Sequence, residues 1–218
     1  MIKKFSEEAN GVLDEIIGAR RTIRAFAPEA PPKAAVEQLI KAGSLAPYAA
    51  LAVAGRAGFR RFFVFEKGTP ARNEAARLVQ LRAQRGLEKM LQARVGAPVD
   101  GSRNEAYLGR LKTIAENGHP SLITAPYFIV VAEYQGFPPA GLQSLAHVLQ
   151  NMWLKATALG LAFQLVSVTE SMAEDQAFVR LVGLPFGEYV MDGCAIGYPG
   201  AEPPPAPRPD MSSGVKWL

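Results

Sequence analysis

Residues 125–133, APYFIVVAE, form the most strand-like stretch of the chain. The run is apolar almost throughout and rich in aromatic and β-branched side chains, and it does not alternate with polar residues. Such a continuous pattern is typical of a strand that is buried on both faces. We therefore expect this stretch to occupy the centre of a sheet.

Outward from this strand, the sequence alternates between helices and short strands. Residues 142–159 give the strongest helix, because Leu145, Leu149 and Met152 recur every three or four positions and Gly160 follows at a suitable C′ position. Further strands are predicted over residues 61–66, 163–168 and 189–196, and further helices over residues 6–19, 34–42, 71–95, 103–116 and 172–182.

The pattern predicts a single α+β domain. Residues 1–198 form this domain, and residues 199–218 form a proline-rich C-terminal arm that belongs to it and runs extended. In the helix over residues 172–182, we expect Ser171 to be the N-cap and Glu174 to complete a capping box.

Composition excludes several classes of protein. The chain has 218 residues, of which 49% are hydrophobic and 20% charged, as expected for a globular domain. A single cysteine and two histidines argue against an internal disulfide and a Cys- or His-rich metal site. We see no signal peptide and no membrane helix, and we predict a cytoplasmic protein. The net charge of +4 is small and its cations are scattered among acids, which argues against nucleic-acid binding.

Most catalytic motifs are absent from the sequence. We find no phosphate-binding glycine loop between a strand and a helix, and no hydrolase signature, so no catalytic side chain is predicted. Cys194 lies in an apolar strand and is expected to be a buried, inert thiol. His119 follows Asn117 and Gly118 in a turn sequence, and we interpret it as a loop side chain rather than a base or ligand.

Residues 19–26, ARRTIRAF, carry the densest group of cations, at the point where the first helix ends. In an extended chain, Arg20, Thr22 and Arg24 point to one side and Ile23 to the other. Arginine forks, a hydroxyl and backbone amides would together bind a phosphate well. A solvated basic turn, anchored by its apolar side chains, explains this window equally well.

These residues resemble the RRSxRxF opening of the nitroreductase-like, FMN-dependent oxidoreductases. Order and spacing agree with that family over roughly residues 12–60 and 120–210. The other matching stretches are residues 42–47 (AGSLAP), 125–132 (APYFIVVA), 146–161 (AHVLQNMWLKATALGL), 182–185 (VGLP) and 195–199 (AIGYP).

The resemblance implies a fold, a cofactor and a reaction. It implies a central, mostly antiparallel sheet flanked by helices, in a homodimer with an extended C-terminal arm and with two FMN sites lined by both chains. NAD(P)H would give a hydride to flavin N5 and leave. A small planar or apolar acceptor, such as a quinone or nitroaromatic, would then be reduced in a ping-pong mechanism.

The resemblance also assigns residues to the phosphate and the flavin edge. Arg20, Arg21, Thr22 and Arg24 fall on the first FMN-binding segment, whose outer members hold phosphate and ribityl. Arg24 would reach the N1/O2 edge of the flavin. Arg208 falls near a C-terminal basic residue that contacts the phosphate.

Two further groups of residues are implied to lie at the flavin ring. Ser167 and Val168 fall where backbone amides approach the N5 region. Pro47, Tyr48 and Ala49 match a loop that the partner subunit lays against the flavin, where Tyr48 could stack on the ring or close the pocket.

The loop over residues 47–55, PYAALAVAG, departs from the family pattern P-S-x-x-N-x-Q-P-W. Leu51 stands in place of the asparagine, Val53 in place of the glutamine and Gly55 in place of the tryptophan. The substrate side of the cleft should therefore be more apolar than in the family. Two alternatives remain open: the loop is ordinary packing, or the chain is a non-catalytic flavin- or nucleotide-binding paralogue.

Overall fold

The computed structural model describes residues 3–94, 101–202 and 214–218. The helices are α1 (Glu7–Ala19), α2 (Lys33–Ser44), α3 (Pro70–Arg94), α4 (Gly101–Asn117), α5 (Pro120–Thr124), α6 (Gly141–Ala158) and α7 (Gln176–Leu181), with a 3₁₀ helix at Ser167–Glu174. The strands are β1 (Arg60–Glu66), β2 (Tyr127–Tyr134), β3 (Ala162–Leu165) and β4 (Tyr189–Gly197).

The four strands form one sheet in the order β1-β2-β4-β3, and every neighbouring pair is antiparallel. β2 lies between β1 and β4, and its side chains are buried from Tyr127 to Glu133. The continuous apolar stretch is therefore a central strand, as predicted, because both of its faces are covered.

Helices cover the sheet on both sides. Phe128 and Val130 of β2 point into a cluster with α3 and α7, whereas Ile129 and Val131 point into a second cluster with α2 and α6. The predicted α+β fold, an antiparallel sheet flanked by helices, is confirmed.

The strongest predicted helix is also confirmed, as α6. It buries Leu145, Leu149 and Met152 against the sheet and α2, and Gly160 follows with a φ of +68°, which favours glycine. α2 approaches α6 so closely that a Cβ on Gly43 would lie 2.8 Å from Met152 Cγ.

The sequence prediction is wrong between β3 and α7. The strand predicted over residues 163–168 ends at Leu165, and a 3₁₀ helix follows instead of a continuous α-helix over residues 172–182. Asp175, not Ser171, caps α7: its carboxylate accepts hydrogen bonds from the amides of Ala177 (3.0 Å) and Phe178 (3.1 Å). The Ser171 hydroxyl instead donates to the Val168 carbonyl, at 2.8 Å.

Beyond β4 the chain crosses the segment that precedes α2. Phe26 and Pro199 form an antiparallel bridge, and the Gly200 amide donates to the Ala25 carbonyl at 2.9 Å. Arg208 and the rest of residues 203–213 lie outside the described residues. The division into a domain and an arm stays a prediction. None of the helices in the described ranges is both long and apolar enough to span a membrane.

Candidate functional site

Two adjoining clefts open between α4, β3 and the 3₁₀ helix. The larger has a volume of about 420 Å³ and the smaller of about 190 Å³, and both are lined by Arg110, Ile114 and His119. The larger volume falls in the range of ligand sites, roughly 300–1,000 Å³. We take the two clefts together as the candidate site.

The segment with three arginines runs along the exposed edge of the sheet. The Ile23 amide donates to the Phe163 carbonyl of β3 at 3.1 Å, and Trp153 Nε1 donates to the Arg21 carbonyl at 2.9 Å. Because this backbone is extended, Ile23 is half-buried while Thr22 and Arg24 are exposed, as the alternation predicts. Arg24 lines the smaller cleft.

Arg20 and Arg21 do not line either cleft. The Arg20 guanidinium lies over the Trp153 ring, 4.4 Å from its centroid, and Trp153 stacks on Phe163 at 4.8 Å. Arg21 Nη1 donates to the carbonyls of Gly18 (3.0 Å) and Arg20 (2.9 Å). Both cations lie beside the candidate site at the α1 end of the segment.

Ser167 and Val168 line the larger cleft. They are the first two residues of the 3₁₀ helix, where backbone amides have no carbonyl of their own helix to bind. Arg24 and these two residues, which the family resemblance assigns to one flavin, therefore line adjoining clefts.

The loop with Pro47, Tyr48 and Ala49 lies elsewhere in the same chain. The Pro47 carbonyl accepts a hydrogen bond from Ser144 Oγ at 3.3 Å, at the start of α6. Trp153, whose ring contacts the Arg20 guanidinium, follows Ser144 by nine residues on the same helix. At 1.5 Å per residue, the two lie about 14 Å apart along the helix axis. One chain therefore does not bring this loop to the arginine segment.

Arg60 holds the start of this loop in place. It forms an ion pair with Glu133, and the two side chains are only 5% and 3% exposed. Its Nη1 donates to the carbonyls of Gly43 (3.1 Å), Ser44 (3.2 Å) and Ala46 (3.0 Å). The sequence analysis missed this contact, although an arginine that opens an otherwise aromatic strand is a usable signal.

The loop itself points outward at its centre. The Tyr48 ring packs on Phe59 with centroids 4.2 Å apart, and Leu51 is 85% exposed, whereas Val53 is buried at 7%. The alternative of ordinary packing is therefore wrong for Leu51 and correct for Val53. Gly136 packs closely against this loop, since an added Cβ would overlap the Ala52 carbonyl oxygen.

His119 lies between α4 and α5, outside both helices, as predicted for a loop side chain, and it is buried. It precedes α5 as the N-cap residue, is 4% exposed, and its Nδ1 is buried without a hydrogen-bond partner. Burial, and to a lesser extent the nearby Arg110 and Arg72, lower the pKa of His119 to about 4. The following Pro120, typical of a first helical position, could have indicated this placement.

Arg72 fixes α5 and so the position of His119. Its side chain is 1% exposed and donates to the carbonyls of Leu122 (3.0 Å), Ser121 (3.3 Å) and Ala125 (3.2 Å). Burial lowers the pKa of Arg72 to about 10.

Gln164 is a second polar residue that the sequence analysis missed. It lies in β3, is 2% exposed, lines the smaller cleft and accepts a hydrogen bond from the Ser121 hydroxyl. Its signal was present, as the only strongly polar side chain in the apolar run FQLV. Cys194 is fully buried and burial raises its pKa, as expected for an inert thiol. Within the described ranges, no cluster of His, Cys, Asp and Glu could hold a metal ion.

The comparisons with known proteins agree with the family resemblance seen in the sequence. The model of the nitroreductase family matches residues 17–198. No curated protein matches the chain significantly.

Three solved structures cover 94% of this chain, and the chain covers 98% of each of them. A nitroreductase from Bacteroides fragilis with bound FMN is 18% identical with a TM-score of 0.68. Oxidised iodotyrosine deiodinase, bound to FMN and 3-iodo-L-tyrosine, is 20% identical with a TM-score of 0.69. A BluB-like flavoprotein from Clostridium difficile is 18% identical with a TM-score of 0.70. At these identities, the likeness shows a common fold.

Proposed function

The chain belongs to the nitroreductase family, and on that premise we propose that it is an FMN-dependent oxidoreductase. It takes a hydride from NAD(P)H and passes it to a small planar, largely apolar acceptor such as a quinone or nitroaromatic, in a ping-pong reaction. The observation that carries the proposal is that Arg24 lines one of two adjoining clefts while Ser167 and Val168 line the other.

The residues of these clefts fit a flavin. The pyrimidine edge of the ring presents carbonyl oxygens and a nitrogen that becomes anionic on reduction, and Arg24 and Gln164 can donate to that edge. Several structural relatives, including the Bacteroides fragilis nitroreductase, contain FMN.

When bound, FMN would supply the hydride chemistry of the reaction. The chain's own residues would position and tune it. Arg24 would place a cation at the pyrimidine edge of the ring, which would favour hydride capture. The amides of Ser167 and Val168 orient the N5 region, and Leu111, Ile114 and Leu165 supply apolar walls. No side-chain acid or nucleophile is required.

In this proposal, the FMN phosphate is bound by Arg20, Arg21, Thr22 and Arg208. Arg20 is already held against Trp153, which lowers the entropic cost of using its guanidinium in a binding site. Arg21 would exchange its contacts with the Gly18 and Arg20 carbonyls for the phosphate.

A homodimer completes the site. α1 has no buried residue and exposes Val12, Leu13 and Ile17 at 51%, 48% and 46%, an apolar face that a monomer would leave in water. Pro47, Tyr48 and Ala49 lie away from the clefts of their own chain and would reach the flavin of the partner subunit.

A non-catalytic flavin-binding protein is the second candidate. The observation that favours it is that Leu51 and Val53 provide no hydrogen-bonding side chains where the family has an asparagine and a glutamine. Such a protein would bind FMN without turnover.

The absorption spectrum of the purified protein tests cofactor binding, and steady-state oxidation of NADH and NADPH tests turnover. We expect visible flavin bands, release of FMN on heating, and parallel double-reciprocal lines with menadione as acceptor. Flavin bands without turnover would favour the second candidate, and absence of FMN binding would refute both.

A further inference from the structure

Arg110 and His119 occupy the junction of the two clefts without a partner for either polar group. The Arg110 side chain is exposed on α4, and the described residues provide neither an ion pair nor a hydrogen bond for it. Nδ1 of His119 likewise has no hydrogen-bond partner among the described residues, although the residue is only 4% exposed. A buried polar atom without a partner is rare in folded proteins and needs an explanation.

The charge around this junction is positive. Arg24 and Arg110 line the smaller cleft, and its lining includes no carboxylate. The larger cleft includes Glu170 and Glu174, but Glu174 is paired with Arg82 on α3. An anionic group would therefore be attracted to the His119 end of the site.

The walls next to this junction are apolar. Leu111 and Ile114 of α4, together with Leu165 and Val168, line the larger cleft, where an acceptor ring would lie against the flavin assigned to the same cleft. A ligand that fits both parts has a planar apolar body and one anionic oxygen substituent.

We propose that Arg110 and His119 recognise an anionic oxygen of the electron acceptor, a carboxylate or phenolate carried on an aromatic ring. The proposal rests on the proposed function, because it assigns the acceptor to the same clefts. Arg110 binds the anion with its guanidinium fork, and the neutral His119 imidazole donates from one ring nitrogen. Acceptors of the same size that lack an anionic substituent bind less tightly, because they leave Arg110 and His119 without a binding partner.

A matched pair of acceptors measures this selectivity in the holoprotein. 4-Nitrobenzoate and methyl 4-nitrobenzoate share a ring and a nitro group and differ in the charge of one substituent. We expect Arg110→Gln to lower the ratio of kcat/KM for the acid over the ester about tenfold or more, as for loss of a charge-assisted hydrogen bond. His119→Gln should lower the same ratio in the same direction.

Lys112→Gln provides the control. Lys112 lies on the same helix, carries the same charge and is exposed, but it lines neither cleft. This change should leave the ratio as it is in the original protein. Because Arg110 is exposed and makes no contact with the core, its variant is expected to fold even if the His119 variant does not.

Three outcomes would overturn the proposal. The first is an unchanged ratio in Arg110→Gln. The second is an equal loss in Lys112→Gln, which would indicate a general charge effect. The third is a rise in KM for NADPH with no change in the acceptor ratio, which would assign Arg110 to a phosphate of the nicotinamide donor.

Failure of the proposed function gives a different result. If the protein turns over neither acceptor, 4-nitrobenzoate binding is measured by the change in flavin absorbance, or in tryptophan fluorescence if no flavin is bound. Weaker binding to Arg110→Gln than to Lys112→Gln would still support the recognition site. Equal binding to both variants, or no binding to either, would refute it.

Discussion

Arg60 and Glu133 pair across β1 and β2, and this buried pair anchors the loop that leads to Tyr48. The two residues are opposite each other in the register of the sheet. Nη1 of Arg60 donates to the Gly43 carbonyl near the end of α2 and to the Ala46 carbonyl just after it. A single buried cation thus joins strand β2 to the loop that leads to Tyr48.

Removing Glu133 should destabilise the fold strongly. Glu133→Ala leaves the Arg60 cation buried without its anion, so we expect the free energy of unfolding to fall by about 3–5 kcal/mol. Urea denaturation measures it. Glu188→Ala is the control, since its pair with Arg56 is roughly half-exposed, and we expect less than about 1 kcal/mol. Equal losses of unfolding free energy in the two variants would show that the buried Arg60 cation does not need Glu133 as its counter-ion.

The arginine segment should carry most of the affinity for FMN. Charge-assisted hydrogen bonds contribute about 1.5–3 kcal/mol each, so Arg20→Ala and Arg24→Ala should each weaken FMN binding roughly tenfold or more. Arg208→Ala should weaken it less. Fluorescence titration of the apoprotein measures the dissociation constant, with Arg61→Ala, exposed on β1, as the control. Unchanged affinity in a folded Arg20→Ala protein would contradict the phosphate assignment.

The sequence predicted those helices and strands whose apolar side chains form a recognisable pattern, on one face or on both faces. α6 was found from the helical period of its apolar residues, and β2 from a continuous apolar run, because both of its faces are buried. The N-cap of α7 was misassigned because Ser171 and Asp175 are both good caps. The choice depends on the tight 3₁₀ turn that directs the Ser171 hydroxyl to Val168.

The candidate site was predictable only in part, because two of its determinants depend on distant residues. His119 is buried since Arg72, far away in sequence, binds the carbonyls of α5. Arg60 reaches Glu133 through strand pairing. No local pattern around either residue contains its partner, so propensity and spacing could not reveal these contacts.

Stability should fall in acid because His119 is buried in its neutral form. The pKa of His119 is about 4 in the folded chain against 6.5 as its ordinary value, owing to burial and then to Arg110 and Arg72. The unfolded chain therefore binds the proton first as the pH falls below 6.5. From pH 7 to pH 5, this should remove about 2 kcal/mol from the free energy of unfolding.

The titration of Asp192 changes the free energy of unfolding in the opposite direction over the same pH range. Burial raises its pKa to about 6, so its contribution to stability is present at low pH and is lost as the pH rises through 6. Urea denaturation of the original protein and of His119→Gln at pH 5 and pH 7 separates the two, because the Asp192 contribution is common to both. A His119→Gln protein with unaltered acid sensitivity would contradict the burial of a neutral imidazole.

The apolar face of α1 should hold two copies together. Ile17→Asp places a charge among Val12 and Leu13 without disturbing a buried side chain of its own chain. We expect light scattering to give a dimer mass for the original protein at micromolar concentration, and a larger monomer fraction for the variant. Lys4→Asp, exposed just before α1, is the control for added charge. A monomeric original protein would count against a site shared between chains.

The outward position of Leu51 makes the loop testable without loss of stability. Because Leu51 is 85% exposed, Leu51→Asn should change the free energy of unfolding by no more than about 0.5 kcal/mol. If the loop lies against the partner's flavin, the new amide should tighten FMN binding or raise kcat/KM for a nitroaromatic relative to a quinone. Leu45→Asn, 76% exposed and outside the loop, should do neither. An identical FMN affinity and substrate ratio in Leu51→Asn and the original protein would show that this loop does not face the site.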